Sequence, residues 1–441
     1  MPTRKFPSLL EKPFHFSFRS AKRRSTSTRF SNKPRVTITD PPSKTERMKK
    51  AFSSILRLQG IVAIMISIFS CTAKENNLGP DVTAPKPGNS LPTDSLYIFK
   101  ERSDGYRCYR IPAIIKAKDG TVLAFAEARK NSCADEGDID LVLKRSTDGG
   151  KTWGPLIKVW DDGGNTCGNP APVVDQATGR IVMLMTWNHG DDHIGEIGDG
   201  TSIDTRRVYL TQSDDNGATW TNAQEITSTV KRPEWGWYAT GPCHGIQIQS
   251  GAYAGRMVIP CDFIEKKANG GRGYSHVLLS DDKGATWRIG GISPKDKANE
   301  STVTELSDGR LQLNMRASGG TARWIAVSSD GGETFTDMKT DYALVEPVCQ
   351  GSLTSGKVNN AFSVFFSNPA STTRVNMTIK WSADNGATWT KYYRVHAGPS
   401  AYSDLVMLSD SHIGILYEGG TSTPYQGIAF RQVAFDEFVK Q

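Results

Sequence analysis

The sequence predicts an all-β protein, and within that class a six-bladed β-propeller. An eight-residue pattern occurs five times along the chain. Between its copies lie many short runs of β-branched and aromatic residues, and no long amphipathic helix is apparent. The composition, with 42 Gly and 10 Trp in 441 residues, is typical of many short strands joined by tight turns.

The repeated pattern has the form Ser-x-Asp-x-Gly-x-Thr-Trp/Phe. Its copies lie at residues 146–153, 213–220, 280–287, 328–335 and 382–389. Asp and Gly favour a hairpin turn with positive φ, the Ser and Asp side chains can bind turn amides, and the final aromatic ring can cap a hydrophobic core. The copies recur every 48 to 67 residues, which is the size of one four-stranded propeller blade. The chain therefore has room for about six blades, one of which has no recognisable copy of the pattern.

Apolar runs between the copies predict the strands of the blades. The clearest runs are residues 121–128, 180–187, 256–263, 310–317 and 412–419. Closing such strands into a ring would also remove the exposed sheet edges that favour aggregation.

The formal net charge of +7 is unevenly distributed. Residues 1–47 contain 12 Lys/Arg and 3 Asp/Glu, residues 48–71 add three positive charges, and residues 72–441 therefore carry a net charge of −5. Because nucleic-acid binding depends on a basic surface, this mildly acidic body argues against a nucleic-acid partner.

The N-terminal region predicts export. Residues 1–47 have the composition of a disordered extension, which suggests a wrongly chosen start codon, although a genuine long leader is the alternative. Residues 48–71 have the basic start and the short apolar run of a signal peptide. Cys71 follows Ser70 directly, as the lipidated residue does in bacterial lipoprotein signals.

We therefore assign residues 1–47 to an extension, 48–71 to a signal peptide, 72–95 to a linker and 96–441 to the propeller. The nine-residue apolar run at 61–69 is too short to span a bilayer comfortably. The expected location is periplasmic, at the outer membrane or cell surface as a lipoprotein, or secreted. Membrane contact would occur only through a lipid on Cys71.

The remaining cysteines and the histidines do not suggest a metal site. Six Cys besides Cys71 permit disulfides in an exported protein, but the sequence does not assign the pairs. None forms a CxxC pair, and His189 and His193 lie in a loop rich in Gly and Asp, where helical ligand spacing does not apply. We predict no metal and no organic cofactor.

Several segments, in order along the chain, resemble the Asp-box sialidases. The segments are YRIPAI at 109–114, AEARKNSCADEGDIDLVLKRSTDGGKTW at 126–153, TGPCHGIQI at 240–248, NESTVTELSDGRLQLNMR at 299–316, NPASTTRVNMTIKWSADNGATW at 368–389, GPSAYSDL at 398–405 and GILYEGG at 414–420. The resemblance covers about residues 97–435 and implies a sialidase-like propeller. It also implies that the repeats, the family's Asp boxes, lie on the rim away from the substrate, so the chemistry is expected between them.

The resemblance implies that three arginines, Arg110, Arg316 and Arg374, bind the carboxylate of sialic acid. Sialic acid carries this carboxylate on its anomeric carbon, and a guanidinium group can donate two parallel hydrogen bonds to it. Adjacent cations repel one another, so a fixed anion should hold one of them in place. Glu418 matches the residue that steadies the first arginine.

The resemblance also implies a tyrosine nucleophile, Tyr402, with Glu300 as its base. Sialidases with a Tyr nucleophile are an exception among retaining glycosidases. A neutral phenol avoids repulsion by the substrate carboxylate, but with a pKa near ~10 it needs a base. We also expect the nearby arginines to favour the phenolate.

Asp135 matches the acid that protonates the leaving oxygen. It lies in an acidic cluster with Glu136, Asp138 and Asp140, for which a solvated loop or a calcium site is the alternative interpretation. Arg129 is predicted to contact a sugar hydroxyl, and Trp187 to line the pocket for the N-acetyl group.

The sequence thus predicts an exo-α-sialidase that hydrolyses terminal α-linked sialic acid from glycoproteins, glycolipids and oligosaccharides with retention. Its partners would be sialylated glycans. A trans-sialidase or an intramolecular trans-sialidase would differ only in how the second step excludes water. A propeller that binds sialic acid without turnover could dispense with Tyr402, Glu300 or Asp135, and a structural propeller would lack the arginine set, whereas this chain has all of them.

Overall fold

Antiparallel β-strands provide almost all the regular structure of residues 95–440, which are the residues that the computed structural model describes. The predictions for the extension, the signal peptide, Cys71 and most of the linker lie outside them. In the described part, no helix is long and apolar enough to cross a membrane.

The strands are numbered in chain order. The first thirteen are β1 (Leu96–Lys100), β2 (Cys108–Lys116), β3 (Val122–Arg129), β4 (Ile139–Ser146), β5 (Ile157–Trp160), β6 (Thr166–Val174), β7 (Ile181–Asn188), β8 (Arg207–Ser213), β9 (Gln224–Glu225), β10 (Trp235–Thr240), β11 (Ile246–Gln247), β12 (Met257–Glu265) and β13 (Gly273–Ser280). The remaining strands are β14 (Arg288–Ile292), β15 (Ala298–Glu305), β16 (Leu311–Ala317), β17 (Ala322–Ser328), β18 (Thr336–Val345), β19 (Ser352–Val358), β20 (Ala361–Pro369), β21 (Val375–Ser382), β22 (Lys391–Met407), β23 (His412–Gly419), β24 (Gly427–Ala434) and β25 (Val439–Lys440). The helical segments are α1 (Ile194–Asp199), α2 (Thr227–Val230) and three 3₁₀ turns at Gly251–Tyr253, Lys267–Asn269 and Phe435–Glu437.

Most strands pair with their neighbours in the sequence, so the sheets are meanders. Strands β15–β18 form one sheet, and β10–β14 form another. Strands β2–β9 form an eight-stranded sheet that is joined by a single parallel contact between Ile139 of β4 and Thr166 of β6. Strand β1 and β19–β25 form the fourth sheet, in which the long β22 pairs with β21 through its first part and with β23 through its second.

Strand β1 pairs with β24, so regions near both ends of the described chain share one sheet. This arrangement confirms the all-β class and is consistent with a β-propeller. The five predicted runs correspond to β3, β7, β12, β16 and β23, and most of their side chains are buried.

Each of the five repeats forms the same hydrogen-bonded turn after a strand. In the first copy, Asp148 accepts hydrogen bonds from the backbone N–H and the hydroxyl of Thr152 at 2.9 and 2.6 Å and from Ser146 at 2.7 Å. The Ser146 hydroxyl oxygen accepts the N–H of Gly150 at 2.7 Å. The same four bonds recur in the other copies at 2.6–2.9 Å. The Ser, Asp, Gly and Thr of the pattern are therefore explained by one turn.

The repeats also join neighbouring groups of strands. In the second copy, which follows β8, the Trp220 ring packs against Phe125 of β3, with ring centroids 5.8 Å apart. Gly217 has φ of 79°, and a Cβ atom there would lie 2.0 Å from a methyl group of Leu123, so only glycine fits the close approach. No repeat residue is among the described residues that line the cavity discussed below, which supports a structural role.

Replacing Asp215 by Ala should therefore affect stability and leave turnover by the folded protein unchanged. The change removes the acceptor of three hydrogen bonds, from Ser213 and from the N–H and hydroxyl of Thr219. We expect a loss of about 1–2 kcal/mol in the free energy of unfolding, measured as a lower thermal midpoint. The matched control is Asp214→Ala, which removes only an exposed ion pair with Arg180 and should cost less than about 1 kcal/mol. A fully folded Asp215→Ala variant without turnover would place the repeat in the active site instead.

Candidate active site

A cavity of about 360 Å³ brings together most of the predicted site residues. Its walls include Arg110, Arg129, Asp135, Glu300, Arg316, Arg374 and Tyr402. A second cavity of about 370 Å³, lined by residues such as Ile115, Val174, Gln247 and Glu305, contains none of them. The convergence of charged groups from distant parts of the chain marks the first cavity as the candidate site.

β-Bulges position the central side chains. The pairing of β2 with β3 shifts register just after Arg110, that of β15 with β16 shifts around Glu300, and that of β22 with β23 shifts around Tyr402. A bulge turns a side chain out of the regular alternation of a strand, and bulges are enriched next to active sites for this reason. Ile111, directly after Arg110, has φ of 58°, which is an outlier for a β-branched residue.

Glu418 connects the first arginine to the tyrosine. It is completely buried, and its Oε1 accepts hydrogen bonds from Arg110 Nε at 2.7 Å and from the N–H of Ile111 at 2.9 Å. Its Oε2 accepts the N–H of Tyr402 at 3.1 Å. Burial alone would lower the pKa of Arg110, but Glu418 and Tyr402 outweigh it and raise that pKa. Glu418 therefore holds Arg110 and the Tyr402 backbone in one fixed arrangement.

All three predicted arginines lie next to Tyr402. Arg316 donates from Nη1 to Glu300 at 2.7 Å and to the Tyr402 hydroxyl at 3.3 Å. The guanidinium carbons of Arg110 and Arg374 lie 5.2 and 5.7 Å from the centroid of the Tyr402 ring. Among residues 95–440, Arg374 has no carboxylate within ion-pair distance and donates instead to the Tyr425 hydroxyl at 2.9 Å. Arg374 is therefore the cation of the set with the least charge compensation.

Tyr402 and Glu300 form a direct hydrogen bond in which the phenol is the donor. The Tyr402 side chain is buried, and burial together with the negative charge of Glu300 raises its pKa well above 10, despite the opposing effect of Arg316 and Arg110. The arginines do favour the phenolate, as expected, but in the free protein burial and the adjacent carboxylate outweigh them. The phenol is neutral, and Glu300 is placed to take its proton.

Asp135 lies on the loop between β3 and β4 and lines the cavity, with 71% of its side chain exposed. Its Oδ1 accepts a hydrogen bond from Arg129 Nη1 at 2.7 Å and lies 3.7 Å from Arg110 Nη1. Partial desolvation opposes ionisation, but the two guanidinium groups outweigh it and lower the pKa of Asp135. The disulfide between Cys108 and Cys133, a pairing that the sequence left open, ties this loop to the start of β2. The other four described cysteines are free and buried.

Arg129 holds Asp135 and is itself held by Glu127, whose Oε2 accepts from Arg129 Nη2 at 2.6 Å. Two other members of the acidic cluster have structural partners. Asp140 is buried and accepts a hydrogen bond from the Tyr106 hydroxyl at 2.5 Å, and Asp138 forms an ion pair with Lys130 at 3.1 Å. Within residues 95–440, no group of three or more His, Cys, Asp or Glu is arranged to hold a metal ion.

Trp187 is not brought to the cavity, and its predicted role is not supported by the geometry. Its indole N–H donates to Asp162 at 2.7 Å, and its ring packs against the apolar core between β3 and β7. Side chains alternate along a strand, and the neighbours Thr186 and Asn188 on β7 point to the other face, where both contact Arg206.

Arg206 is a buried cavity residue that sequence reasoning missed. It donates to Asn188 Oδ1 at 2.5 Å, to Asn169 and to the carbonyl of Tyr238 at 2.6 Å, and its guanidinium carbon lies 3.9 Å from the Trp237 ring centroid. Burial lowers its pKa to about 10, although Glu127 opposes this. The sequence did contain one signal for this part of the cavity, the Asn169-Pro170 pair, since Asn169 is a partner of Arg206. Like the Ile-Pro pair in β2, this pair marks a bulge, and Asn169 has φ of 53°.

Comparisons with known proteins identify the family of the chain. The model of the BNR repeat-like domain matches residues 120–415, which makes the chain a BNR-repeat protein. A sialidase from Bacteroides fragilis is 32% identical over 363 residues, covering 76% of this chain and 64% of that protein. An exo-alpha-sialidase from Arthroderma benhamiae is 33% identical and covers 71% of this chain and 78% of that protein.

Among solved structures, a Hadza microbial sialidase is similar with a TM-score of 0.72 and 32% identity, covering 78% of this chain and 69% of that one. The chain belongs to the sialidase family of glycosidases. It spans 64% of the length of the Bacteroides relative, which is less than two thirds.

Proposed function

We propose that this protein is an exo-α-sialidase that releases terminal α-linked sialic acid from glycans with retention of configuration. One observation carries the proposal: three guanidinium groups surround a buried tyrosine whose hydroxyl donates to a glutamate. The arginines suit a carboxylate, and the tyrosine–glutamate pair suits nucleophilic attack on the carbon that bears it.

The carboxylate of the substrate would bind against Arg110, Arg316 and Arg374. Arg110 and Arg316 already have the anionic partners Glu418 and Glu300, whereas Arg374 has a neutral one, Tyr425. An incoming carboxylate would compensate the excess positive charge of the set. It would also sit beside the Tyr402 ring, with the anomeric carbon close to the phenol oxygen.

In the first step, the Tyr402 oxygen would form a bond to the anomeric carbon as its proton moves to Glu300. The bond to the leaving oxygen would break as Asp135 donates a proton to that oxygen. In the second step, Asp135 would remove a proton from water, the water oxygen would replace Tyr402 on the anomeric carbon, and Glu300 would return the proton to Tyr402. Two inversions give net retention.

Replacing Arg374 by Ala should weaken binding of the carboxylate. Loss of charge-assisted hydrogen bonds worth about 1.5–3 kcal/mol corresponds to an increase in Kd of about 10- to 150-fold. Titration calorimetry with free sialic acid measures this effect, and the amide of sialic acid is the matched ligand. The unaltered protein should prefer the acid, and Arg374→Ala should lose most of that preference. Equal binding of acid and amide to the unaltered protein would refute the arginine clamp.

We extend the proposal to a propeller of six blades. The strand groups β2–β5, β6–β9, β10–β14, β15–β18 and β19 to the first part of β22 would be five blades, and the second part of β22 with β23, β24 and β1 the sixth. The repeats support a closed ring, because each of the five copies contacts the group of strands before its own. Gly150 in the first group lies against Phe430 of β24, Gly217 against Leu123, and Gly284 against Val182.

Export and lipid anchoring at Cys71 are also part of the proposal. The Cys108–Cys133 disulfide supports an oxidising compartment. Mass analysis of the N-terminus of the natural protein tests this, and a mature chain that retains residues before Cys71 would contradict it.

The test of the activity is the product formed from a simple α-sialoside, followed by NMR from the first turnover. We expect α-sialic acid to appear first and then to convert to the β-anomer. An anhydro product would indicate intramolecular transfer, and sialic acid appearing on an added sugar acceptor would indicate a trans-sialidase. Binding without any product would show a sialic-acid-binding protein.

A further inference from the structure

A completely buried ion pair, Arg323–Glu346, contacts the strand that carries Arg316, and the steps above give it no role. Both side chains are 0% exposed, and Arg323 Nη1 lies 2.7 Å from Glu346 Oε2. The other carboxylate oxygen, Oε1, accepts the N–H of Ala317, the residue after Arg316, at 2.8 Å. Because burial removes both charges from water, their attraction often only balances the cost of desolvation. The contact with the Arg316 strand therefore points to a role other than net stability.

The backbone around Arg316 lies at an irregular point of its sheet. Strand β16 pairs with β17 in register as far as Met315, one residue before Arg316. Its pairing with β15 shifts register between Met315 and Ala317. A buried backbone N–H needs an acceptor, and at this point the Glu346 carboxylate supplies the acceptor for Ala317.

The first arginine of the set is supported in a similar way. The residue after Arg110 also donates its N–H to a buried glutamate, Glu418, at 2.9 Å. Glu418 takes the charge of Arg110 as well. Glu346 pairs with Arg323 instead, so the guanidinium group of Arg316 is left to the groups of the cavity.

Arg323 joins the ion pair to β16 on the other side of Arg316. Its Nε donates to Asn314 Oδ1 at 2.7 Å, and its Nη2 donates to the carbonyl of Asn314 at 3.2 Å. Its Nη1 also donates to the carbonyl of Cys349 at 2.8 Å. The ion pair therefore binds the strand both before and after Arg316.

We infer that Glu346 is a positioning residue for Arg316, with Arg323 as its charge partner. The inference rests on the proposed function, in which Arg316 binds the substrate carboxylate. A guanidinium group donates two parallel hydrogen bonds to a carboxylate only in a narrow range of orientations. A shift of the backbone at Arg316 would therefore weaken recognition of the carboxylate more than recognition of the rest of the sugar.

The experiment measures the preference for sialic acid over its amide by titration calorimetry with Glu346→Gln. The new side chain has the same size but one oxygen, so it cannot accept from Ala317 and Arg323 together. We expect Kd for the acid to rise about tenfold, Kd for the amide to change little and the thermal midpoint to fall. The combination of Arg323→Met with Glu346→Leu is a second variant. It removes the bond to Ala317 without leaving a buried charge, and it should lose the same preference.

Two controls separate positioning from stability. Arg323→Lys keeps a positive charge opposite Glu346 but loses the fork of bonds to Asn314. Asp175→Asn alters a completely buried carboxylate that binds Thr178 and Gln247 and lines another cavity. Both controls should lower the thermal midpoint and keep the preference for the acid.

Unchanged preference for the acid in both Glu346→Gln and the double variant would overturn the inference. A loss of preference in Asp175→Asn would overturn it too, because the loss would then follow any drop in stability. If Arg323→Lys lost as much preference as Glu346→Gln, the positioning residue would be Arg323 and not Glu346. An unaltered protein with no preference for the acid would refute the arginine clamp of the proposed function, and the inference with it.

Discussion

Replacing Tyr402 by Phe is expected to lower kcat for an α-sialoside by about 10³-fold or more while Kd for sialic acid changes little. The substitution removes the attacking oxygen and keeps the ring that packs between Arg110 and Arg374. The Arg316–Glu300 ion pair at 2.7 Å remains, so the surrounding geometry should persist. Steady-state kinetics and calorimetry with free sialic acid measure the two quantities.

Tyr425→Phe is the matched control. Its hydroxyl accepts from Arg374, and its ring lies 4.3 Å from the Arg110 guanidinium carbon, but it makes no contact with Glu300. A small effect on kcat is expected because only a neutral hydrogen bond to Arg374 is lost. If Tyr402→Phe behaved like Tyr425→Phe, Tyr402 would not be the nucleophile.

Replacing Asp135 by Ala should lower kcat/KM by about 10²–10⁴-fold for a sugar-linked sialoside and far less for a nitrophenyl sialoside. A sugar alkoxide needs a proton to leave, whereas nitrophenolate does not. Kinetics with the two donors on the same preparation measure the ratio. An equal loss with both donors would mean that Asp135 acts on binding or on loop structure and does not protonate the leaving group.

The position of Asp135 also predicts a pH effect. Arg129 and Arg110 lower its pKa in the free protein. The protonated form of Asp135, on which kcat/KM depends, is therefore lost at a low pH, and kcat/KM declines there. A substrate carboxylate bound at Arg110 would compensate that guanidinium and repel the Asp135 carboxylate, which raises the pKa in the complex. For the sugar-linked donor, the alkaline decline of kcat should lie at higher pH than that of kcat/KM. The same decline should be absent from Asp135→Ala.

The repeats and the middle strands were predictable because they are local patterns. The Ser, Asp, Gly and Thr of each repeat satisfy one another within eight residues, and strands such as β3 and β7 read as continuous apolar runs. The resemblance supplied Arg110, Glu300 and Tyr402, and the structure brings them together through bulges.

The other end of the cavity was not predictable in the same way. Arg206 and Trp237 meet only after separate sheets pack, and neither belongs to a motif that the sequence marks. Trp187 was assigned to the wrong face of its strand. Neighbouring residues on a strand point to opposite faces of the sheet, and the sequence around Trp187 does not show which face it takes. The pKa of Tyr402 depends on how deeply its side chain is buried, and the sequence does not reveal this burial even where it indicates the nearby arginines.

The most direct test of the proposed mechanism is to trap the intermediate with a fluorinated sialosyl fluoride and to map the modified residue by peptide mass spectrometry. The fluorine next to the anomeric carbon slows the second step, so the covalent species should accumulate. We expect one sialosyl group per protein on the peptide that contains Tyr402, and no adduct in Tyr402→Phe. An adduct on Glu300, Asp135 or any other carboxylate would contradict the tyrosine nucleophile while leaving the fold and the arginine clamp intact.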